Sequence, residues 1–283
     1  MRSSALAAAA LFAGAALPAA AQEATDPPAD TATVFDGDWL TLGFGGLYGP
    51  SYDGSDDYVI TPVPLVQGKL GGVTINPRPA GLALDFIPDP ERGVGFALGP
   101  SFRLRSNRAA QVKDPVVLAA GKLKRAVEVG AAAGVSLPRL LNPYDKLSFT
   151  LDARWDVNKA HRGMVLAPAV SYFTPLSRGA GVVLSLDAER GDDDFMGYYY
   201  SVTPAQSGAS GLPVFTADSG WTRAGVTALG AIDLDGDLAN GGLAAVVLGG
   251  YARMLGDARR SPFTSVRGSA DQWMAGAGLA LTF

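Results

Sequence analysis

The sequence predicts an all-β protein: a single antiparallel transmembrane β-barrel of about 12 strands with both termini periplasmic. Three observations carry this. The chain opens on an export-type leader, long segments alternate between apolar and polar residues, and the last such segment ends on an aromatic residue.

The leader has three parts. Arg2 gives a positive start, Ala5 to Leu17 an apolar run, and Pro18-Ala19-Ala20-Ala21 the small residues a signal peptidase reads. The apolar run falls short of the ~20 residues that a membrane helix needs. Residues 1–21 are therefore expected to be a signal peptide and 22–37 a flexible acidic linker holding Glu23, Asp26, Asp30 and Asp36. The expected barrel is 38–283.

Composition narrows the function classes. The chain has no cysteine, which removes disulfides, thiolate metal sites and a lipid anchor after the leader. It carries 36 Gly and only 18% charged residues, unlike a disordered segment. The net charge of −4, or −5 once Arg2 leaves with the leader, comes with no basic stripe, so nucleic acid is not an expected partner.

Strict two-residue alternation marks the strands. In 146–158, Leu147, Phe149, Leu151, Ala153, Trp155 and Val157 oppose Ser148, Thr150, Asp152, Arg154, Asp156 and Asn158. The segment from Val94 sets Phe96, Leu98, Phe102 and Leu104 against Ala97, Ser101, Arg103 and Arg105. Val127 to Ser136 and Val182 to Glu189 repeat the pattern, and so does the closing run from Gln272 to Phe283. A soluble β-sandwich also alternates. The length of the segments and the recurring small-plus-charged face favour a barrel with lipid outside and a tight polar lumen.

The expected strands are 39–48, 58–68, 71–77, 80–87, 94–105, 122–136, 146–157, 164–174, 180–190, 220–233, 241–254 and 270–283. Asn76-Pro77-Arg78-Pro79 makes the third and fourth the weakest, and if they merged, Phe195 to Tyr200 would have to supply the twelfth. With periplasmic termini, the connections on that side are short, and the long ones, 49–57, 106–121, 191–219 and 255–269, all fall on the other.

Candidate chemistry is sparse. His161 is the one histidine, so a Ser-His-acid relay would depend on it, and its polar setting reads as an exposed loop. Zinc would need more His or Cys ligands. Asp192-Asp193-Asp194 reads as a solvated acidic loop, and Asp233 to Asp237 as a hairpin turn whose glycine is misplaced for a calcium loop. No catalytic, cofactor or metal residues are assigned. The charges on the polar faces, Arg103, Arg105, Glu128, Asp152, Arg154, Asp156, Asp187, Glu189, Arg223 and Arg253, have both signs and are expected to form a paired network in the lumen. A ring of one sign would have suggested an ion-selective pore.

Three stretches carry a family resemblance. They are Gly49-Pro50-Ser51-Tyr52-Asp53-Gly54-Ser55-Asp56 with Pro62 and Pro64; Tyr199 to Thr203 with Ala205, Gln206 and Ser210-Gly211-Leu212-Pro213; and Leu255-Gly256-Asp257-Ala258-Arg259-Arg260-Ser261-Pro262 with Gly268, Ser269, Gln272 and Phe283. In this order they resemble the MltA-interacting protein family (MipA/OmpV). Tyr200-Ser201 stands where that family usually has Phe-Gly, and Phe215 where it has Tyr. The resemblance implies a non-catalytic outer-membrane scaffold of the cell envelope, in contact with outer-membrane lipid. Its partners would be a lytic transglycosylase and a penicillin-binding protein acting on peptidoglycan. A narrow passive channel for small solutes is the alternative. Ser210, Gly211, Leu212, Pro213, Gly256, Asp257, Ser261 and Pro262 are expected to order two long loops that fold inward over the barrel mouth, with Leu212, Pro213 and Phe215 seeking burial and Asp257 facing Arg259, Arg260 or Arg253.

Overall fold

The computed structural model describes residues 33–88, 90 and 93–283. The expected signal peptide and the linker up to residue 32 lie outside them. A 3-10 turn, Val34–Asp36, leads into twelve strands: β1 (Trp39–Pro50), β2 (Tyr58–Leu70), β3 (Val73–Arg78), β4 (Gly81–Asp85), β5 (Gly95–Arg105), β6 (Ala126–Pro138), β7 (Lys146–Asp156), β8 (Met164–Ser177), β9 (Ala180–Gly191), β10 (Gly220–Asp233), β11 (Gly242–Met254) and β12 (Asp271–Thr282). Each pairs with its sequence neighbour, and β12 pairs with β1 to close the barrel. Closure leaves no edge strand at the seam, since Leu40 and Phe283 exchange both backbone hydrogen bonds. Among the described residues no helix is long and apolar enough to cross a membrane; the crossing elements are strands.

The alternation seen in the sequence is the wall. In β7, Phe149, Leu151 and Trp155 are 44–48% exposed on the outside, while Asp152 and Arg154 are buried inside. Register carries the inward set around the ring: Gly99 faces Ala132, Ala132 faces Asp152, and Asp152 faces Ala167. Where β1 meets β12 the inward pair is Gly45 and Gly278. A Cβ on Gly45 would come 2.5 Å from the Ala277 carbonyl, and one on Gly278 would come 2.6 Å from that of Phe44, so glycine lets the wall bend tightly there.

The asparagine-proline run does not merge the third and fourth strands. β3 runs on through Pro77 to Arg78, and Ala80, at φ +54°, makes the tight turn into β4. Phe195 to Tyr200 is helical, not a strand. The β3–β4 hairpin is short, so β2 pairs with β3 only over 68–70 against 73–75, and Pro62 and Pro64 lie in the stretch beyond. β6 begins at 126, not 122, because Leu123 turns aside to pack into the barrel mouth.

At the end that holds residue 39 and Phe283, connections are brief. Gly71 and Gly72, both at positive φ, make a two-residue turn. The Asp145 carboxylate accepts from the amides of Leu140, Leu141 and Asn142, and Asp233 accepts from those of Asp235, Gly236 and Asp237. The opposite end carries the long connections, and these hold five helices: α1 (Pro115–Ala119), α2 (Asp193–Tyr200), α3 (Pro204–Ser210), α4 (Gly256–Arg260) and α5 (Pro262–Ser265).

Candidate functional site

The inward charges of five strands converge just inside the long-loop mouth. Arg105, at the top of β5, is the hub. Its Nε lies 2.5 Å from Glu128 Oε1 on β6, and its two terminal nitrogens grip Glu189 on β9 at 2.7 and 3.0 Å. Arg103 reaches the same Glu189 at 2.7 Å. Arg154 on β7 joins Glu128, at 3.4 Å, to Asp152, at 2.6 Å, and Asp152 also accepts from Ser101 and from Arg78 on β3. Both carboxylates of the hub are fully buried, so each needs all of these donors.

Eight of the ten sequence-predicted lumen charges meet in this way or beside it: Arg103, Arg105, Glu128, Asp152, Arg154 and Glu189 in the cluster, and Asp187 paired with Arg223 at 3.2 Å next to it. Asp156 faces inward but is used locally, accepting the amides of Asn158 and Arg162 to shape the turn 157–163. Arg253 is a correction. Its neighbours Ala252 and Met254 are the buried residues, so Arg253 lies on the outer face, where it pairs with Asp271 at 3.7 Å. It belongs to a polar and aromatic belt with Tyr48, Tyr58, Trp155, Trp221, Tyr251 and Trp273 at the upper ends of the strands, where a cation reaches headgroups instead of hydrocarbon.

His161 is also corrected. It is buried, not an exposed loop residue, and packs edge-on against Phe195. Its Nδ1 accepts the Gly163 amide, which leaves the proton on Nε2, 3.3 Å from Glu128 Oε1. The aspartate run starts a helix instead of forming a loop, with Asp193 and Asp194 exposed as expected. Asp192 caps α2 by accepting the Phe195 amide and also takes the Met164 amide, and Asp193 accepts that of Ser219.

A packed cap lies over this charged layer. Phe195, Met196, Tyr199 and Tyr200 of α2 bury themselves with Val165, Met254 and Ala258, and the Phe195 ring sits 4.8 Å from the Arg105 guanidinium carbon. A second cluster joins Tyr52, Val117, Val202, Leu212 and Phe263 from four loops. Burial pushes the hydroxyls of Tyr52, Tyr199 and Tyr200 well above the usual range, so they stay neutral donors.

The family-like residues build the cap. Ser210 ends α3 by bonding the Gln206 carbonyl, and Gly211, at φ +74°, takes the left-handed position that closes that helix. Leu212 is buried, whereas Pro213 is exposed, contrary to its expected burial, because the chain turns there into the Val202–Phe215 bridge. Gly256, also at positive φ, opens α4. Asp257 accepts the Asp218 amide at 2.9 Å and pairs with Arg260, while Ser261, buried beside Pro262, bonds the Tyr200 carbonyl at 2.6 Å. The two long loops therefore lie against each other.

The helices of the cap escaped the strand-oriented reading, although their starts were marked. Asp114-Pro115 is a capping residue with proline at the first helical position, and Thr203-Pro204-Ala205-Gln206 is a capping box. Arg78 and Ser101 were missed for another reason: only the register shows that they face Asp152.

Among solved structures, the chain is similar to an outer membrane channel of Pseudomonas putida F1, at 14% identity and TM-score 0.47, covering 91% of this chain and 99% of that one. It is similar too to the outer membrane protein OprD of Pseudomonas aeruginosa, at 10% identity and TM-score 0.29, covering 89% and 95%. No curated protein matches. Residues 42–283 match the family described as MltA-interacting protein MipA, and the chain, an outer-membrane β-barrel, belongs to that family.

Proposed function

We propose that this barrel is a non-catalytic scaffold of the cell envelope and that it does not serve as an open pore. The observation that carries this is the cap: the aromatic residues of α2 are buried over a layer of ion pairs, so the mouth is filled by the protein's own side chains. The family is named for interaction with MltA. On that reading the partners are a lytic transglycosylase and, by resemblance, a penicillin-binding protein. Both termini and the short turns would face the periplasm, where such partners work.

A narrow passive channel is the second reading, and one observation favours it. Away from the mouth one side of the lumen, from β5 to β7, faces inward with small residues such as Ala97, Gly99, Gly134, Ser148 and Thr150, while Leu65, Val183, Leu229 and Leu248 face it from the other strands. Planar-bilayer recording separates the two. The scaffold reading expects no steady conductance from the intact protein, and crosslinking in native envelopes should then recover peptidoglycan enzymes. Steady conductance without such partners would reverse the choice.

A further inference from the structure

We propose that the cap holds a small inorganic anion of the halide type at the Arg108 guanidinium, where three loops meet. Arg108 is 1% exposed and stacks on Phe263 with its guanidinium carbon 3.5 Å from the ring centroid. Its one hydrogen bond runs from Nη1 to the Tyr199 carbonyl at 3.1 Å, and Nε and Nη2 have no partner among the described residues. Burial draws the group down to about 10, which still leaves it charged at neutral pH. Its backbone is held at φ +54°, a costly conformation for a side-chain-bearing residue.

Arg105 offers the internal contrast. It is equally buried and binds two carboxylates, whereas the acids around Arg108 are engaged elsewhere. Glu128 and Glu189 hold Arg103, Arg105 and Arg154, Asp53 lies 3.8 Å from Arg105, and Asp114 holds Arg267. A buried unpaired guanidinium is strongly unfavourable.

The neighbouring unpaired groups are donors too. The segments 52–54, 107–108 and 263–264 are tied together by Tyr52 Oη to the Phe263 carbonyl, by the Asp53 amide to Asn107 Oδ1, and by Gly54 against Thr264. In that knot Asn107 Nδ2 and the Thr264 hydroxyl, like the two Arg108 nitrogens, lack partners. Water would satisfy some of these donors but leave the charge. A compact monovalent anion accepts from several and neutralises it. A spherical halide accepts from donors on any side, which suits this mixed set of guanidinium, amide and hydroxyl groups better than the directional oxygens of a phosphate or a carboxylate. The bound ion would staple the loops after β1, β5 and β11.

Thermal unfolding of the refolded, detergent-solubilised barrel tests this, in sodium chloride, bromide or gluconate at equal ionic strength. The expected result is a midpoint several degrees higher in either halide, with the difference lost in Arg108→Met and reduced in Thr264→Val. Should Arg108→Met not assemble, Thr264→Val carries the comparison alone. Equal midpoints in all three salts, or an undiminished halide shift in Thr264→Val, would overturn the site. Crystals grown in bromide give a direct reading. Anomalous density within hydrogen-bond reach of Arg108 supports the proposal, while bromide confined to the surface (an adventitious ion only), or water at Arg108, refutes it.

Discussion

The two ends of this lumen solve the same problem differently. Away from the mouth the wall faces inward with uncharged residues, Gly, Ala, Ser and Thr together with Leu65, Val183, Leu229 and Leu248, and the turns at the end near the termini are held by single carboxylates such as Asp145 and Asp233. Near the mouth the wall faces inward with arginines and acids, and helices cover them. Uncharged residues pack there without needing any particular partner. Long charged residues bridge the lumen, but each then requires a partner. The mouth is thus the half whose integrity rests on particular side chains.

That contrast can be broken most sharply at Glu128. Glu128→Ala should destabilise the barrel by ~3–5 kcal/mol, because Arg105 and Arg154 lose a buried carboxylate together. Urea unfolding in detergent measures it, and a loss no larger than that of Ser185→Ala would deny the mouth its special dependence. Phe195→Ala should cost a comparable ~3–5 kcal/mol by leaving a cavity in the cap. It should also speed tryptic cleavage at the Arg259-Arg260 bond, because α4 packs through Ala258 on the α2 aromatic cluster; unchanged cleavage would mean that the loops hold without that ring.

Across the wall, the difference lies between faces. Leu151→Arg, on the lipid side, should cost ~2–4 kcal/mol, and Thr150→Arg, its inward neighbour, distinctly less. Equal tolerance in refolding yields would contradict the inside–outside assignment of β7.

The smallest effect concerns acid. Burial tends to raise Asp114, but the Arg267 guanidinium and the amides of Val116 and Val117 outweigh it and hold the carboxyl below its ordinary range. A carboxyl depressed in the folded state contributes stability above its unfolded value and loses it as pH falls through the folded one. The cap should therefore loosen in acid, and Asp114→Asn should flatten that part of the pH profile of tryptic protection. An unaltered profile would assign the acid sensitivity elsewhere.

What could be read from the chain follows the same division. Strand positions were legible because lipid on one side and lumen on the other impose a period of two, which survives any loop conformation. Pairings inside the lumen were only half legible. Alternation says that Arg103 and Glu189 share a face, yet their contact depends on the register of four intervening ladders. Arg253 shows the hazard of sorting by charge alone: counting from Tyr251 and Trp273 places it outside. The cap was hardest to read, since Tyr52 meets Phe263 across 211 residues of sequence. No local pattern encodes that distance, although the helix caps at Asp114, Asp192 and Thr203 were written plainly.

The three-pair ladder between β2 and β3 has a mechanical meaning. The β4–β5 ladder is as short, and the strands outside the β3–β4 hairpin are otherwise zipped along most of their length, but here the upper part of β2 leans on β1 alone. Hydrocarbon offers nothing to a bare amide, and Pro62 and Pro64 withhold two N–H groups where a neighbour to receive them is missing. The wall thus has a built-in line of parting. Under lateral load this is where the ring would unzip, with few hydrogen bonds to break and the prolines softening the exposure that follows.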